Sequence, residues 1–558
     1  MRKGFFCPRS GLIYLIYEIL IMNNRILFLL LLLIISIGVS KVESGFQLPE
    51  KPITNNSKLK VKSDKNKPNI LFIAIDDIND WVGYLGGHSG MKIHTPNIDR
   101  LARSSMVFTN AHTPSPACAP ARAAILTGVH HARSGIKNTH WGDGPEWRKF
   151  PRLKNVETLE QFFKNRGYKT LGAGKIYHSQ APPWTPTSQV EPENWDFYYP
   201  SPYISHPYQI RAPNEVIYPE GVDNKTRPGE SDGSGKSSWW TWGPLDVEDE
   251  KMADYQIVDW ANYQLKADHN KPFFLAVGTW KPHDPWEVPQ KYFDLYPIQD
   301  IVLPIYLKND LEDAFDHGRR WIQEWMVKNK QWKKVVQSYA AAISFSDAMI
   351  GRLLDQLKES KYAENTIIVL WSDHGMHMGE KDNIEKFTLW ERSTRVPLII
   401  SYPGVIPAET SCNQPVSLMD IYPTLVELTG FEKPTHLDGE SLVPQIKNPN
   451  TPKTPVITSY QFTWTGEPFA GHSVRSKNFR YIYYPDIGLE ELYDHQTDPN
   501  EWNNIAYKKV YKKTVQGHRK VLLGMIPELK WKPETPEGYR IDSNGNVKFL
   551  SYTELGQK

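Results

Sequence analysis

The residues best suited to covalent chemistry surround Cys118, which opens the sequence Cys-Ala-Pro-Ala-Arg and is followed by Leu-Thr-Gly at residues 126–128. A side chain at the start of a helix faces backbone N–H donors, which favour a bound anion. Arg122 lies one turn further on, where it can hold that side chain or a nearby carboxylate. The ordinary alternative is a buried cysteine that only packs before a helix. The spacing therefore indicates a candidate nucleophile at Cys118.

Two acidic clusters follow apolar segments that are predicted to be strands. Asp76 and Asp77 come after residues 69–75, and Asp373 and His374 come shortly after residues 366–371. Because sites in open α/β sheets lie beyond the carboxyl ends of strands, we expect these clusters to meet. Carboxylate oxygens suit a hard cation such as Ca²⁺ or Mg²⁺. One aspartate pair usually only ends a strand, but two such ends and a nucleophile favour a metal pocket.

Lysine and histidine residues near these clusters could bind an anion and move protons. Lys175 and His178 belong to Gly-Lys-Ile-Tyr-His, and His283 lies in Trp-Lys-Pro-His-Asp-Pro after an apolar segment. Lys386 follows the second acidic cluster. Each of these residues alone is usually an ordinary surface group, so their order along the chain carries the inference.

Together these motifs resemble the signature of the type I sulfatases, in which Cys-x-Pro-x-Arg is followed by Leu-Thr-Gly at this spacing. In that family a maturation enzyme oxidises the cysteine to formylglycine, whose hydrate carries two hydroxyl groups on one carbon. One hydroxyl attacks sulfur and forms a covalent sulfate ester, and the other, once deprotonated, expels sulfate and restores the aldehyde. The resemblance implies a sulfuric ester hydrolase that acts through a modified Cys118.

The resemblance also assigns one calcium ion to the acidic clusters. Its ligands would be Asp76, Asp77, Asp373 and His374, and an oxygen of the modified Cys118 would complete the shell. Many sulfatases have asparagine where His374 stands, and the Asp-His pair is similar to the iduronate-2-sulfatase-like branch. A zinc site, as in related phosphatases, would need more histidine ligands than can be placed beside these clusters.

The same resemblance implies roles for the lysines and histidines. Lys175 would bind sulfate and the nucleophile's oxygen, and His178 would remove the proton of the second hydroxyl. His283 would bind sulfate and protonate the leaving alcohol. Lys386 would be a second lysine at the sulfate. His140 lies just beyond the nucleophile helix and is a further candidate for contact with a sugar.

The implied substrate is a sulfated oligo- or polysaccharide, either a glycosaminoglycan with a uronate 2-O-sulfate or an algal polymer such as ulvan or carrageenan. Two alternatives stay open. A phosphonate or phosphate monoester hydrolase of the same superfamily shares Cys-x-Pro-x-Arg, and a non-catalytic protein that binds sulfated glycans would keep Cys118 unmodified.

Composition limits the class of protein. The chain of 558 residues is too long for one compact core, and its 40% hydrophobic and 23% charged residues are typical of a folded protein. A net charge of +2 gives no basic field that would favour nucleic acid. The three cysteines are Cys7, Cys118 and Cys412. Because Cys7 precedes the predicted mature chain, a disulfide framework is not expected.

An apolar run from Ile26 to Val39 follows Arg25 near the start of the chain. The run is too short to cross a bilayer and suits the core of a signal peptide. We therefore predict a signal peptide over residues 1–40, with Met22 as an alternative start, and a polar linker over residues 41–67. The protein would be secreted or periplasmic, or lysosomal in a eukaryote. An uncleaved membrane anchor is the alternative, although stable membrane insertion is not expected.

Alternating strand and helix patterns predict an α/β fold with a mostly parallel sheet between helices. The sulfatase resemblance implies the alkaline-phosphatase-like version of that fold. We predict a catalytic domain over residues 68–430 and a smaller C-terminal α+β subdomain over residues 431–558. The predicted strands are 69–75, 107–111, 169–173, 273–277, 366–371, 396–402 and 479–484. The predicted helices are 97–105, 121–127, 157–166, 339–357 and 510–525, and residues 180–250 are predicted to form loops.

Overall fold

The computed structural model describes residues 67–136, 145–178, 191–199, 242–318, 320–462, 469–529, 531, 536 and 538–550. The predicted signal peptide, nearly all of the predicted linker, His140 and most of the predicted loop region lie outside these residues. Within these ranges no helix has the length and apolar character needed to span a membrane.

The described residues form strands and helices that alternate along much of the chain. The strands are β1 (Asn69–Ile75), β2 (Met106–Phe108), β3 (Ala111–His112), β4 (Lys169–Gly174), β5 (Phe197–Tyr199), β6 (Trp242–Leu245), β7 (Phe273–Thr279), β8 (Trp286–Pro289), β9 (Thr366–Ser372), β10 (His377–Met378), β11 (Ile384–Glu385), β12 (Leu398–Ser401), β13 (Thr410–Cys412), β14 (Val416–Ser417), β15 (Val456–Phe462), β16 (Phe469–Arg475), β17 (Phe479–Tyr484), β18 (Leu489–Asp494), β19 (Tyr539–Ile541) and β20 (Val547–Phe549). The α-helices are α1 (Pro96–Arg103), α2 (Cys118–Thr127), α3 (His131–Ser134), α4 (Leu159–Asn165), α5 (Ala253–Lys266), α6 (Gln290–Phe293), α7 (Arg320–Lys328), α8 (Trp332–Glu359), α9 (Glu391–Thr394), α10 (Ile421–Leu428), α11 (Val443–Lys447) and α12 (Lys512–Met525).

An eight-stranded sheet is the centre of the fold, with the strand order β13-β2-β12-β9-β1-β7-β4-β5. Neighbouring strands are parallel except where β12 lies antiparallel to β9 and β2. Strand β1 is buried along its whole length, and its side chains alternate between two cores. Leu71, Ile73 and Ile75 pack with α1, α5 and α8, whereas Phe72 packs with α2, α4 and α10 on the other face. The predicted mostly parallel sheet between helices is therefore confirmed.

A separate four-stranded antiparallel sheet follows, in the order β15-β16-β17-β18. One of its faces packs against α12, where Val515 and Leu522 join its apolar side chains. Buried Arg480 connects the sheet to α9, since it pairs with Glu391 and Glu501 and donates to the backbone carbonyl of Leu389 at 2.9 Å. Glu491 on β18 has a structural contact: its carboxylate accepts from the indole of Trp390 at 2.9 Å.

Several predicted boundaries were wrong. The predicted strand 107–111 is two short strands, β2 and β3, which belong to different sheets. The predicted helix 121–127 begins earlier, at Cys118, because Pro120 lies in its first turn, where a missing N–H costs nothing. The helix ends as predicted at Gly128, which has a left-handed φ of 70°. The predicted loop region contains β5, and β6 pairs with β8 after the His283 loop.

Candidate active site

The candidate site lies at the carboxyl edge of four adjacent strands, β9, β1, β7 and β4. Asp373 directly follows β9, Asp76 directly follows β1, and Lys175 directly follows β4. His283 lies four residues after the end of β7. Because these strands are parallel neighbours, their ends bring together residues that are up to about 300 positions apart in sequence.

The backbone at Asp77 is locked in an uncommon conformation. Its φ of 64° is left-handed, which few residues other than glycine adopt without cost. The Asp77 N–H donates to Oδ1 of Asp373 at 3.2 Å, and the Tyr339 hydroxyl donates to the Asp77 carbonyl at 2.7 Å. These two bonds connect β1, β9 and α8, so the carboxylate of Asp77 is held where it meets the other site residues.

Cys118 is the first residue of α2, and its thiol is at the centre of the cluster with 1% of the residue exposed. Its Sγ lies 3.1 Å from Nε2 of His374, 3.4 Å from Nζ of Lys386 and 3.8 Å from Oδ1 of Asp77. Burial alone would raise the pKa of the thiol, but Lys386, Lys175 and His374 hold it well below its usual range. The surroundings of Cys118 therefore favour negative charge at this position.

Arg122 connects the carboxylates around Cys118. Its Nε donates to Asp373 at 2.8 Å, and its Nη2 donates to Asp76 at 2.9 Å. Its Nη1 donates to the backbone carbonyls of Lys175 and Ile176, the latter at 3.2 Å. Of the two contacts predicted as alternatives for Arg122, the nucleophile or a carboxylate, the structure shows the carboxylates.

Lys175 reaches the site because β4 and β7 approach unusually closely at their ends. A Cβ atom at Gly174 would lie 2.1 Å from the carbonyl oxygen of Gly278, and one at Gly278 would lie 2.1 Å from the Lys175 carbonyl. Both positions therefore require glycine. The buried Lys175 ammonium binds the carboxylate of Asp76 and lies 4.6 Å from the ring centroid of Trp280.

Lys386 is presented by the loop that follows the hairpin of β10 and β11. The residues on either side of it, Glu385 and Phe387, have φ values of 107° and 74°. Such strain in residues other than glycine persists only where the surroundings impose it. The ammonium of Lys386 contacts the two carboxylate oxygens of Asp77 at 2.9 and 2.8 Å.

His283 lies on the loop between β7 and β8, and 16% of its side chain is exposed. Its Nε2 lies 3.8 Å from Oδ2 of Asp77, and its Nδ1 lies 3.0 Å from Oδ1 of Asp284. Burial and Lys386 oppose protonation, but Asp77 and Asp284 raise the pKa of His283 to about 10. A protonated imidazole at the accessible side of the site is a proton donor.

Two residues around His283 were not predicted as functional. Asp284 holds the imidazole, and the adjacent His-Asp pair in the sequence was the available signal. Asp254 on α5 accepts from the backbone N–H groups of Trp280 and Lys281 at 2.8 and 2.9 Å. No sequence pattern near Asp254 indicates its role, because its hydrogen-bond partners are more than twenty residues away in the chain. Lys281 donates to the Pro285 carbonyl.

His178 also contacts the thiol of Cys118, and burial lowers the pKa of its imidazole. Its Nδ1 has no hydrogen-bond partner within the described ranges. The structure thus brings all the predicted site residues together apart from His140, which lies outside the described residues. They are Asp76, Asp77, Cys118, Arg122, Lys175, His178, His283, Asp373, His374 and Lys386.

The donor set fits a hard divalent cation. Ligand atoms of Asp76, Asp77, Cys118 and His283 lie within 4.8 Å of one another, and Cys118 forms a second such group with Asp373 and His374. Three buried carboxylates offer oxygen ligands at one point, where Arg122, Lys175 and Lys386 also pair with them. Burial raises the pKa of Asp373 to about 7, whereas Lys175 and Arg122, against the effect of burial, lower that of Asp76. Oxygen atoms dominate, as calcium prefers.

Comparison with known proteins identifies the family. The family model described as Sulfatase matches residues 68–431, which is more than half of the chain. The chain belongs to the sulfatase family. A second family model, described as the C-terminal part of N-sulphoglucosamine sulphohydrolase, matches residues 379–526 of this sulfatase. A protein named Sulfatase from Formosa agariphila is 37% identical over 481 residues, which cover 84% of this chain and 88% of the relative.

More distant relatives are also sulfatases or share the fold. Iduronate 2-sulfatase from Homo sapiens is 26% identical, with 83% of this sulfatase and 95% of the relative covered. A solved structure in complex with its substrate D-glucosamine-2-N,6-O-disulfate has a TM-score of 0.62 and 21% identity, covering 83% of this chain and 98% of the other. The phosphonate monoester hydrolase of Agrobacterium radiobacter has a TM-score of 0.62 and 19% identity, covering 87% and 100%. These two likenesses show the predicted alkaline-phosphatase-like fold.

Proposed function

We propose that this sulfatase removes O-sulfate groups from a sulfated carbohydrate through a formylglycine made from Cys118 and a bound calcium ion. The observation that carries the proposal is the position of the Cys118 side chain. Its Sγ contacts His374, Lys386 and Asp77 in a buried pocket whose other walls are Asp76, Asp373 and Lys175. A nucleophile at this position lies next to an oxygen-rich cation site and to two lysine side chains that can bind the sulfate oxygens.

Two groups that the chain would acquire supply part of the chemistry. Formylglycine, as its hydrate, supplies two hydroxyl groups on one carbon, one for attack on sulfur and one for the later release of sulfate. Calcium, held by Asp76, Asp77, Asp373 and His374, supplies positive charge opposite the sulfate oxygens.

The protein's own residues bind the anion and move protons. Lys175 and Lys386 place their side-chain nitrogens beside the nucleophile and bind sulfate oxygens there. His283, which Asp77 and Asp284 keep protonated, gives its Nε2 proton to the leaving alcohol oxygen. His178 lies against the Cys118 side chain, and burial keeps it neutral, so it accepts the proton of the second hydroxyl. Arg122 contacts carboxylates and backbone carbonyls and positions the pocket.

The substrate class rests on relatives. A protein named Ulvan-active sulfatase from Formosa agariphila is 28% identical over 462 residues, and iduronate 2-sulfatase is similar over most of its length. Both names point to sulfated sugars. We include in the proposal export across a membrane, directed by the predicted signal peptide, and modification by a formylglycine-generating enzyme.

Mass spectrometry of the peptide that contains Cys118 tests the nucleophile. We expect the mass change that accompanies replacement of –CH2SH by –CHO, and loss of sulfate release from 4-nitrophenyl sulfate in Cys118→Ala. Cys412→Ala is the matched control, because Cys412 is also buried but lies on β13, where its thiol donates to the Pro449 carbonyl at 3.4 Å. Full activity in Cys118→Ala would refute the assignment, and unmodified Cys118 in an inactive native protein would indicate a glycan-binding protein instead.

A comparison of 4-nitrophenyl sulfate with 4-nitrophenyl phenylphosphonate tests which ester reacts at the nucleophile. We expect a higher kcat/KM for the sulfate; a higher value for the phosphonate would indicate a phosphonate hydrolase. A screen of defined sulfated oligosaccharides, with released sulfate measured, then identifies the sugar and the sulfated position.

A further inference from the structure

Residues 502–527 form a basic segment remote in sequence from the catalytic residues. This stretch contains no aspartate or glutamate, although the whole chain has 63 acidic and 65 basic residues. Its cations are Lys508, Lys509, Lys512, Lys513, Arg519 and Lys520. They lie on helix α12 and the short turn that precedes it.

Most of this positive charge is uncompensated. Lys509, Lys512, Lys513 and Lys520 are exposed, and none of them forms an ion pair with another described residue. Arg519 differs, because its Nε donates to Glu490 at 2.7 Å. An exposed lysine near an acidic residue would lose part of its field, so the absence of acidic residues in this segment matters.

The spacing places two of these lysines in one row on the helix, and a third lies on the turn before it. Lys513 and Lys520 are seven residues apart on α12, an interval that shares a helical face, and Lys509 lies in the preceding 3-10 turn. The Cα atoms of Lys513 and Lys520 are about 10 Å apart at the α-helical rise. The opposite face is buried through Val515 and Leu522. We call this exposed row, with Lys509 and the glycines described next, the α12 track.

Two glycines lie in the same row, at positions 517 and 524. A Cβ atom at Gly517 or Gly524 would meet no other atom within 4 Å, so both positions are open. Glycine inside an exposed helix costs about 1 kcal/mol relative to alanine, and neither position has a neighbour that excludes a side chain. The open surface between Lys513 and Lys520 is where a chain could lie against the helix backbone.

The α12 track ends beside a cleft of about 820 Å³, which Lys520 and Gly524 line together with Arg152. The cleft is of mixed charge, because Arg133, Lys453 and four carboxylates also line it: Asp420, Asp438, Glu440 and Glu528. His130, three residues beyond the end of α2, lines it as well. Cys118 is at the other end of that helix, about 14 Å away by the helical rise. The cleft is therefore separate from the catalytic pocket.

We propose that the α12 track binds sulfate groups of a polymeric substrate away from the catalytic centre. This inference rests on the proposed function, which makes the substrate a sulfated carbohydrate. A sulfated polysaccharide is a polyanion, so it complements a row of unpaired lysines. Lysine ammonium groups are point charges on flexible stems, which suits sulfates at variable spacing. Because Gly517 and Gly524 have no side chains, an extended polysaccharide chain has room to lie against the helix there.

Binding of dextran sulfate, with uncharged dextran as the control polymer, tests the proposal over a range of NaCl concentrations. We expect Lys509→Gln/Lys513→Gln/Lys520→Gln to weaken binding about tenfold or more at low salt. The slope of log Kd against log salt should fall by about two to three, since each lost cation–anion contact lowers it by about one. Turnover of 4-nitrophenyl sulfate should stay unchanged, which also shows that the variant is folded.

The matched control is Lys266→Gln/Lys271→Gln/Lys358→Gln, which removes three exposed lysines beside the amino-terminal edge of the sheet. Gly517→Gln adds bulk without charge and should weaken binding without loss of thermal stability. Equal loss in the control triple variant, or no loss in the track variant, would overturn the proposal. So would tighter binding of double-stranded DNA or phosphatidylserine vesicles through the same lysines. Failure of the proposed function is seen separately, as absent turnover in the wild type.

Discussion

Replacement of Arg122 tests how the pocket is held together. The guanidinium is buried and donates to two carboxylates and two backbone carbonyls. Removal of one partner from a buried ion pair typically costs about 3–5 kcal/mol, because it leaves an uncompensated charge. We therefore expect Arg122→Met to lower the free energy of unfolding by about 3–5 kcal/mol when chelator keeps the cation site empty. Calcium should recover part of that loss, because it would neutralise Asp76 and Asp373.

Arg122→Lys separates charge from geometry. An ammonium keeps the charge but cannot reach both carboxylates and both carbonyls, so we expect a smaller loss of about 1–3 kcal/mol. Arg519→Met is the control, because the Arg519 side chain is 28% exposed and its pair with Glu490 should contribute about 1 kcal/mol or less. Urea unfolding followed by tryptophan fluorescence gives all three values. If Arg122→Met loses less than about 1 kcal/mol, the buried pairing does not stabilise the pocket as argued.

The remaining predictions concern proton transfer, the cation and pH. His283→Ala and Asp284→Asn should slow sulfate release from alkyl sulfates more than from 4-nitrophenyl sulfate, and equal losses would exclude a leaving-group acid. Saturating calcium after chelation should raise the free energy of unfolding by about 3–4 kcal/mol, and stoichiometric zinc on metal analysis would contradict the ligand assignment. Burial lowers the pKa of His472 from 6.5 to about 3. Its contribution to the free energy of unfolding should therefore be complete above pH 6.5 and fall by about 1.4 kcal/mol per pH unit below that value. His472→Gln should flatten that slope in urea unfolding measured between pH 7 and about 4, and an unchanged slope would refute it.

The central sheet could be predicted because its strands are buried on both faces. The continuous apolar segments at 69–75 and 366–371 are too short for a typical buried helix, and acidic residues follow each of them, so both favour buried strands. The direction of β12 could not be predicted, because a four-residue apolar strand carries no signal for parallel or antiparallel pairing. The same limit applies to residues 107–111, where the break into β2 and β3 depends on strands some three hundred residues away.

The site itself was accessible to sequence reasoning only where motifs were present. Cys118, Lys175 and His283 lie in short patterns, whereas Asp254 and Tyr339 act through backbone groups that are distant in the chain. The left-handed conformations at Asp77, Glu385 and Phe387 could not be predicted either, since Glu and Phe rarely adopt positive φ and Asp does so only in a small fraction of cases. Tertiary contacts impose these conformations, and one sequence does not reveal them.

The depth at which Cys118 lies would set a time limit on its proposed conversion to formylglycine. Only 1% of the residue is exposed in the folded protein, so an enzyme that acts on the thiol cannot reach it there. Strand β1 pairs with β7 and β9, which follow it by about two hundred to three hundred residues. During synthesis, the segment around Cys118 therefore leaves the ribosome well before the partners that bury it exist. The order of the strands keeps this segment accessible during that interval, and folding ends the access.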